Sequence, residues 1–340
     1  MHSSPENRVR SDAGRPDLDA RVFESVLDML PSEANPTPLV RLQRLVPPGS
    51  TLYAKLEWMN PFGSVKDRAA WEMLRDLEER GQLGEAKPGR GVVEPTSGNT
   101  GLSLAALASM RGYGMRAVVP SKVPDEKKAL LRLAGAEVDV TTDALCPLPG
   151  SEDGAIGLAR TYARAQGDKY VMPNQYENQA NARAHERTTG PEIWRQTAGR
   201  VTHVFTALGT VGTATGLARY LRKQNPDVKI IAVQPSPGHD VPGLRNVSEL
   251  SVSKLFDPSL ISEILEIPHE LAYTRAAELF RREGLRAGPS SGLIFEGARR
   301  VAERDGVGLG VMIFCDDVFK YVSSMRKHLP ELGKFNVEGE

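Results

Sequence analysis

Short apolar runs alternate along the chain with longer stretches whose apolar residues return every three or four positions. Leu52–Leu56, Gly91–Val93, Arg116–Val119, Glu137–Val140, Val204–Ala207, Lys229–Val233 and Gly310–Phe314 have the length and composition of strands. Several of them run through a turn rich in Gly, Ser and Thr into a helical pattern. That rhythm is the mark of βαβ units, and it predicts an α/β fold with open, mostly parallel sheets covered by helices on both faces. A helix is expected from about Val65 to Arg80. Ala70, Trp71, Leu74 and Leu77 form its apolar stripe, Arg75, Asp76, Glu78, Glu79 and Arg80 its wet face, and Gly81 its stop. Ser64 is placed to cap it, which puts Lys66 in the first turn, the end of a helix dipole that disfavours a cation. No solenoid repeat is present.

Composition narrows the picture. The 340 residues are enough for two domains and a large core, and 40% hydrophobic with 25% charged residues is a globular balance. The 43 basic and 43 acidic side chains cancel, so the footprint of a nucleic-acid binder is missing. No apolar run is long enough to cross a bilayer, and the first 16 residues have no apolar core of a secretion signal. They read as a mobile tail, and the chain as cytoplasmic. Cys146 and Cys315 form no Cys-x-x-Cys pair, and the six histidines show no His-x-x-x-His spacing, which argues against a protein-held metal.

Candidate chemistry lies in three turns and one lysine. Glu94-Pro-Thr-Ser-Gly-Asn-Thr-Gly101 follows a strand and opens a helix, so its backbone N–H groups and hydroxyls make an anion site; an ordinary cap would explain one hydroxyl, not a run of them. Gly209-Thr-Val-Gly-Thr-Ala-Thr-Gly216 has the same context, with glycines that admit a phosphate close to the backbone. Its spacing is not that of a dinucleotide site, and Gln234 stands where an acid would hold a ribose. Lys66, at a helix start after Asn60-Pro-Phe-Gly-Ser64, is expected to have a depressed pKa, as Schiff-base chemistry requires. Gly288-Pro-Ser-Ser-Gly292 formally fits the Gly-x-Ser-x-Gly elbow of serine hydrolases, with Asp316 or Asp317 and then His328 downstream. The segment before it, however, reads as a helix ending at a glycine instead of a strand. His185 reads as a local hydrogen-bonding residue.

An amine in a helix start, two anion cradles and a serine-bearing loop together suit an aldehyde cofactor with a phosphate arm. Asn35-Pro-Thr-Pro-Leu-Val-Arg-Leu42, Lys55-Leu-Glu57, Asn60-Pro-Phe-Gly-Ser-Val-Lys-Asp-Arg68 and Glu94 to Gly101 resemble the cysteine synthase family. So do Asn181 to Trp194, Gly209 to Thr213 and Gly288 to Gly292. The family also contains cystathionine β-synthases, and its architecture is the two-domain fold type II of pyridoxal-phosphate enzymes, similar to the tryptophan synthase β chain. The resemblance extends from about residue 20 to residue 325, in order.

The resemblance implies roles. Lys66 holds pyridoxal 5'-phosphate and later acts as base; Gly209, Thr210, Val211, Gly212 and Thr213 cradle its phosphate; Asn99 meets the ring oxygen and Ser290 the pyridine nitrogen. Thr96, Ser97, Asn99, Thr100 and Gln175 grip the substrate carboxylate. A serine beside the ring nitrogen suits β-elimination better than transamination. The implied reaction is replacement of the β-substituent of O-acetylserine or O-phosphoserine by sulfide through an aminoacrylate, giving L-cysteine. Arg245, in a Pro-Gly-Leu-Arg context, is a candidate for a substrate phosphate. Cystathionine or diaminopropionate formation with another nucleophile stays open, and a serine hydrolase or a non-catalytic binding protein are remoter readings. Residues 55–170 are expected to form a smaller mobile domain carrying Asn99, and residues 17–54 with 171–335 a larger one. A homodimer is implied, with an acyltransferase or sulfur carrier as a further partner. Val211 and Val318 stand where many members have glycine.

Overall fold

The computed structural model describes residues 22–96, 98–142 and 154–334. The expected tail, Ser97 and Cys146 lie outside the described residues. The chain forms β1 (Leu39–Arg41), β2 (Leu52–Leu56), α1 (Lys66–Glu79), β3 (Gly91–Pro95), α2 (Asn99–Met110), β4 (Met115–Pro120), α3 (Asp125–Leu133), β5 (Ala136–Thr141), α4 (Gly154–Ala165) and β6 (Tyr170–Val171). It continues through α5 (Gln179–Ala184), a π-helical turn (His185–Thr189), α6 (Gly190–Gln196), β7 (His203–Ala207), α7 (Gly212–Gln224), β8 (Lys229–Pro235) and β9 (Glu263–Ile267). Helices α8 (Glu270–Glu283) and α9 (Pro289–Asp305), strand β10 (Gly310–Phe314) and α10 (Val322–His328) complete it.

Among the described residues, ten strands make two sheets. The larger has the order β1-β2-β10-β7-β8-β9, the smaller β5-β4-β3-β6. Among these described strands, β1 and β2 pair antiparallel and the other pairs are parallel. Side chains alternate across a strand, so each central strand is apolar on both faces. Met312 and Phe314 of β10 pack with Ile294, Phe295 and Ala298 of α9, while Val311 and Ile313 pack with Leu217, Ala218 and Leu221 of α7. The smaller sheet repeats the scheme. Val92, Ala117 and Val119 meet Leu74 of α1 and Leu104 of α2, and Val93 and Val118 meet Ala155 and Ala159 of α4.

Seven strands lie where the pattern puts them, and α1 starts within one residue of its expected place. Strands β1, β6 and β9 are new. β1 and β6 have only three and two residues, too few for a period to be read. β9 sits at a sheet edge, where Glu263 and Glu266 interrupt its apolar run; Glu263 is answered by Arg304 and Glu266 by Asn246. The carboxyl ends of β2, β3, β7 and β10 lead directly into the segments with candidate chemistry, as the rule for ligand sites in open α/β sheets requires. Isolated bridges Ser64–Asp316 and Ala287–Asp317 draw three of these segments together.

Candidate active site

Helix α1 begins under tight local control. Gly63 adopts φ +78°, a left-handed turn that glycine takes without strain. Asn60 donates to the Ser64 carbonyl at 2.9 Å, and Ser64 Oγ accepts the Lys66 N–H at 3.2 Å. Asp67 accepts from the Phe62 N–H at 2.7 Å and from Ser103 Oγ at 2.6 Å. The Lys66 side chain is half-buried, and its Nζ makes no hydrogen bond or ion pair among the described residues. Its pKa is lowered, as the sequence predicts, but the chief cause is burial; the neighbouring Cys315 and Asp316 pull it the other way. Burial also pushes the Cys315 thiol up to about 12, with Asp316 adding to the effect.

The loop after β7 is a vacant set of donors. Among the described residues, no backbone N–H from Gly209 to Thr213 makes a hydrogen bond, and these five groups, leading into a 13-residue helix, form an anion site. Thr210 Oγ1 accepts from Asn181 Nδ2 at 2.8 Å, and Thr213 Oγ1 contacts His185 Nε2 at 3.2 Å. Burial depresses His185 to about 3, so it is neutral, bridging Thr213 and Thr189. Not every glycine here serves close approach of an anion. A Cβ on Gly212 would lie 2.1 Å from Asn181 Oδ1, and one on Gly216 2.2 Å from the Ala182 carbonyl. Both are glycine because α5 packs against them. Val211 has φ +71°, an unusual state for a β-branched residue, and buries its side chain against Leu208, Ala214 and Leu250.

Around the start of α2, Thr96 and Thr100 are buried, and Thr100 Oγ1 donates to Gln175 Oε1 at 2.7 Å. Gln175 donates in turn to the Pro95 carbonyl. The buried Glu94 carboxyl, raised to about 7 by desolvation, accepts the N–H groups of Asn174 and Gln175 at 2.8 and 3.0 Å. Asn99, at the first position of α2, donates from Nδ2 to Asp316 Oδ2 at 2.6 Å, and its Oδ1 accepts from Lys320 Nζ at 3.1 Å. Tyr321 donates to the same Asp316 oxygen, while Asp316 Oδ1 is buried without a partner.

The acidic pair is therefore split. Asp316 is interior, and Asp317 caps the turn Val318–Tyr321 by accepting the Phe319 N–H at 2.9 Å. Ser290 is buried in the first turn of α9, beside the thiol of Cys315. Arg245 is buried too. Its N–H meets the Leu208 carbonyl at 2.8 Å, next to the Gly209 loop, and its guanidinium lies over the Tyr176 ring at 5.3 Å and donates to its hydroxyl at 3.2 Å.

The structure thus brings Lys66, the Asn99 turn and Ser290 together through Cys315 and Asp316, and sets Arg245 against the Gly209 loop. Sequence reasoning gave no individual role to Glu94 and Asn181, although both lie in quoted motifs, nor to Tyr176, Lys320 and Tyr321, which act by contact. A hydrolase triad is not assembled. Helix α8 and a loop, not a strand, precede Gly288; His328 pairs with Asp240 at 2.9 Å, and Asp316 with Asn99 and Tyr321. Among the described residues, no group of three or more His, Cys, Asp or Glu side chains could hold a metal ion.

An unpartnered amine of lowered pKa fits an aldehyde, and unpaired helix-start donors flanked by two threonines fit a phosphate. Together they define an enzyme of pyridoxal-phosphate type. The model of a family described as pyridoxal-phosphate dependent enzyme matches residues 31–316, and the chain belongs to that family. It is 42% identical to cysteine synthase B of Salmonella typhimurium over 289 residues, which is 85% of this chain and 92% of that protein. It is 37% identical to the cysteine synthase of Aquifex aeolicus, covering 85% of this chain and 88% of the other. Among solved structures, O-ureido-L-serine synthase superposes with a TM-score of 0.82 at 32% identity, covering 94% of this chain and 98% of that one. Cysteine synthase from Entamoeba histolytica gives 0.78 at 25% identity, covering 100% and 96%. The cofactor is pyridoxal 5'-phosphate.

Proposed function

We propose that the enzyme replaces the β-substituent of an O-activated L-serine with sulfide, producing L-cysteine. The observation that most supports this is Lys66, an amine of lowered pKa without a polar partner among the described residues, near Asp316, which accepts from Asn99, and near His185, which contacts Thr213 of the donor loop. Bound there, pyridoxal phosphate supplies the electron sink that acidifies the α-carbon of an amino acid and lets its β-substituent leave.

The chain's own groups do the rest. Gly209, Thr210, Val211, Gly212 and Thr213 would hold the phosphate arm, Asn99 the ring oxygen, and Ser290 the ring nitrogen. A serine there, carrying no negative charge, would not favour protonation of that nitrogen. Thr96, Ser97, Asn99, Thr100 and Gln175 hold the α-carboxylate, with Thr100 and Gln175 exchanging their present mutual bond for it. Lys66 would hold the cofactor by its amine, and the same amine is the group that would move the proton at the substrate's α-carbon. Residues 55–170 close on residues 17–54 and 171–335 when substrate arrives, excluding water. The working unit is a cytoplasmic homodimer.

Replacing Lys66 by Ala abolishes turnover and the visible cofactor band; survival of both in the variant would overturn the assignment. The buried Arg245 supports O-phosphoserine as donor. Replacing it by Ala lowers kcat/KM for O-phosphoserine about 10- to 100-fold more than for O-acetylserine, the worth of a hydrogen bond to a charged group. Equal losses would show that Arg245 reads no phosphate. The likeness to a solved O-ureido-L-serine synthase favours a second reading, in which a nucleophile other than sulfide is added. Steady-state rates with sulfide and with hydroxylamine-type nucleophiles separate the two.

A further inference from the structure

We propose that Lys320 is a positioning residue that fixes the orientation of the Asn99 carboxamide. Lys320 lies in the turn Val318–Tyr321 that follows β10 of the larger sheet. Its ammonium reaches the Phe62 carbonyl at 3.1 Å, the Gly63 carbonyl at 2.8 Å and Asn99 Oδ1 at 3.1 Å. An ammonium has three donors and no acceptor, so all of its capacity is used. Two bonds anchor it on the turn just before Lys66, and the third crosses to the start of α2, which packs on the smaller sheet.

The other end of the Asn99 amide donates to Asp316 Oδ2, an oxygen that also accepts from Tyr321. Between a group that only donates and an oxygen that accepts, the amide has one orientation. A flip would set its NH2 against the ammonium and its carbonyl against the carboxyl oxygen. With one amide hydrogen on Asp316, the second is held in a fixed direction. The turn is built around the same ammonium. Gly63 has φ +78°, and a Cβ there would lie 3.2 Å from Lys320 Nζ, so a side chain at this position would crowd the clamp.

This inference rests on the reading that Asn99 meets the bound cofactor, and a double-mutant cycle separates the two claims. Lys320→Met, Asn99→Ala and the double variant are prepared as full-length apo-enzymes and titrated with pyridoxal phosphate, following the visible band and the dissociation constant. Lys320→Met is expected to displace the band and weaken cofactor binding about tenfold in the otherwise unchanged enzyme. In the Asn99→Ala background it should change neither by more than about twofold, because its effect passes through Asn99.

Equal effects in both backgrounds would overturn the proposal and assign Lys320 to the turn before Lys66 alone. If Asn99→Ala by itself moves neither band nor affinity, the reading of Asn99 fails and the proposal with it. Should Lys320→Met not fold, Lys320→Gln keeps a donor in the turn but falls short of Asn99. It should give the same band displacement, and a band identical to that of the unsubstituted enzyme would overturn the proposal.

Discussion

Two buried polar clusters meet near the start of α1, and they are built on opposite principles. In the first, Arg68 binds Glu57 and Glu192, Lys55 binds Glu192, Gln196 and the Thr37 carbonyl, and Thr37 binds both glutamates. Two cations face two anions, and each carboxylate oxygen is accepting. In the second, Asp316 takes two donors on Oδ2 and none on Oδ1, among Asn99, Tyr321 and Lys320. The closed cluster ties α1, β2 and α6 into one body and leaves nothing for a ligand. The open one joins the two sheets and keeps unused capacity beside Lys66. A complete network specifies structure, whereas an incomplete one stores polarity for chemistry.

Their protonation follows the same divide. Burial opposes ionisation of Glu57, but Arg68 outweighs it and holds the carboxyl at about 2. Asp316 has no such cation in contact, and burial raises it. For Glu57 the folded pKa lies below the ordinary 4.5, so its stabilisation is present above pH 4.5 and is lost as pH falls toward 2. For Asp316 the folded pKa lies above the ordinary 3.8, so its contribution is present at low pH and is lost as pH rises through the raised value.

The contrast is sharpest in stability. Arg68→Met leaves the buried Glu57 without a cation in contact and Glu192 with Lys55 alone, and should cost about 3–5 kcal/mol in urea unfolding. A loss below about 1 kcal/mol would mean that the closed cluster does not hold the fold. Asp316→Asn should change stability by less than about 1 kcal/mol near pH 5, since the cluster already lacks a full set of partners. It should flatten the stability decline that Asp316 contributes at higher pH, while kcat/KM falls at least about tenfold. An Asp316→Asn enzyme as unstable as Arg68→Met would erase the distinction. A smaller effect is expected at Val211, where packing offsets a left-handed backbone. Val211→Ala keeps the backbone cost and loses packing, so it should be less stable than Val211→Gly by about 1 kcal/mol. The reverse order would show that φ +71° carries no cost.

Much of this was legible in the chain. Parallel strands buried on both faces give continuous apolar runs, so β2, β3, β7, β8 and β10 were readable from composition alone, and the turns at their carboxyl ends carry Lys66, Thr96, Asn99, Thr100 and the Gly209 loop. The edge strand β9 was not readable, because Glu263 and Glu266 find partners distant in sequence. Gly212 and Gly216 read in the sequence as glycines of an anion-binding turn, and the structure adds a packing demand at both. Their constraint comes from α5, which no local pattern announces. The clamp of Lys320 on Asn99 joins residues 221 positions apart, and an exposed-looking Lys in a polar turn gives no hint of it. Lys66 was placed correctly at a helix start, but burial, which appears only in the folded structure, dominates its pKa.

The most direct test is an absorbance titration of the purified, cofactor-loaded enzyme with O-acetylserine or O-phosphoserine, followed by sulfide. The account predicts a visible band that moves when one donor is added and returns when sulfide follows, with L-cysteine formed in equal amount. A band unmoved by both donors, or one that moves but does not return with sulfide, would contradict sulfide-dependent replacement on an O-activated serine.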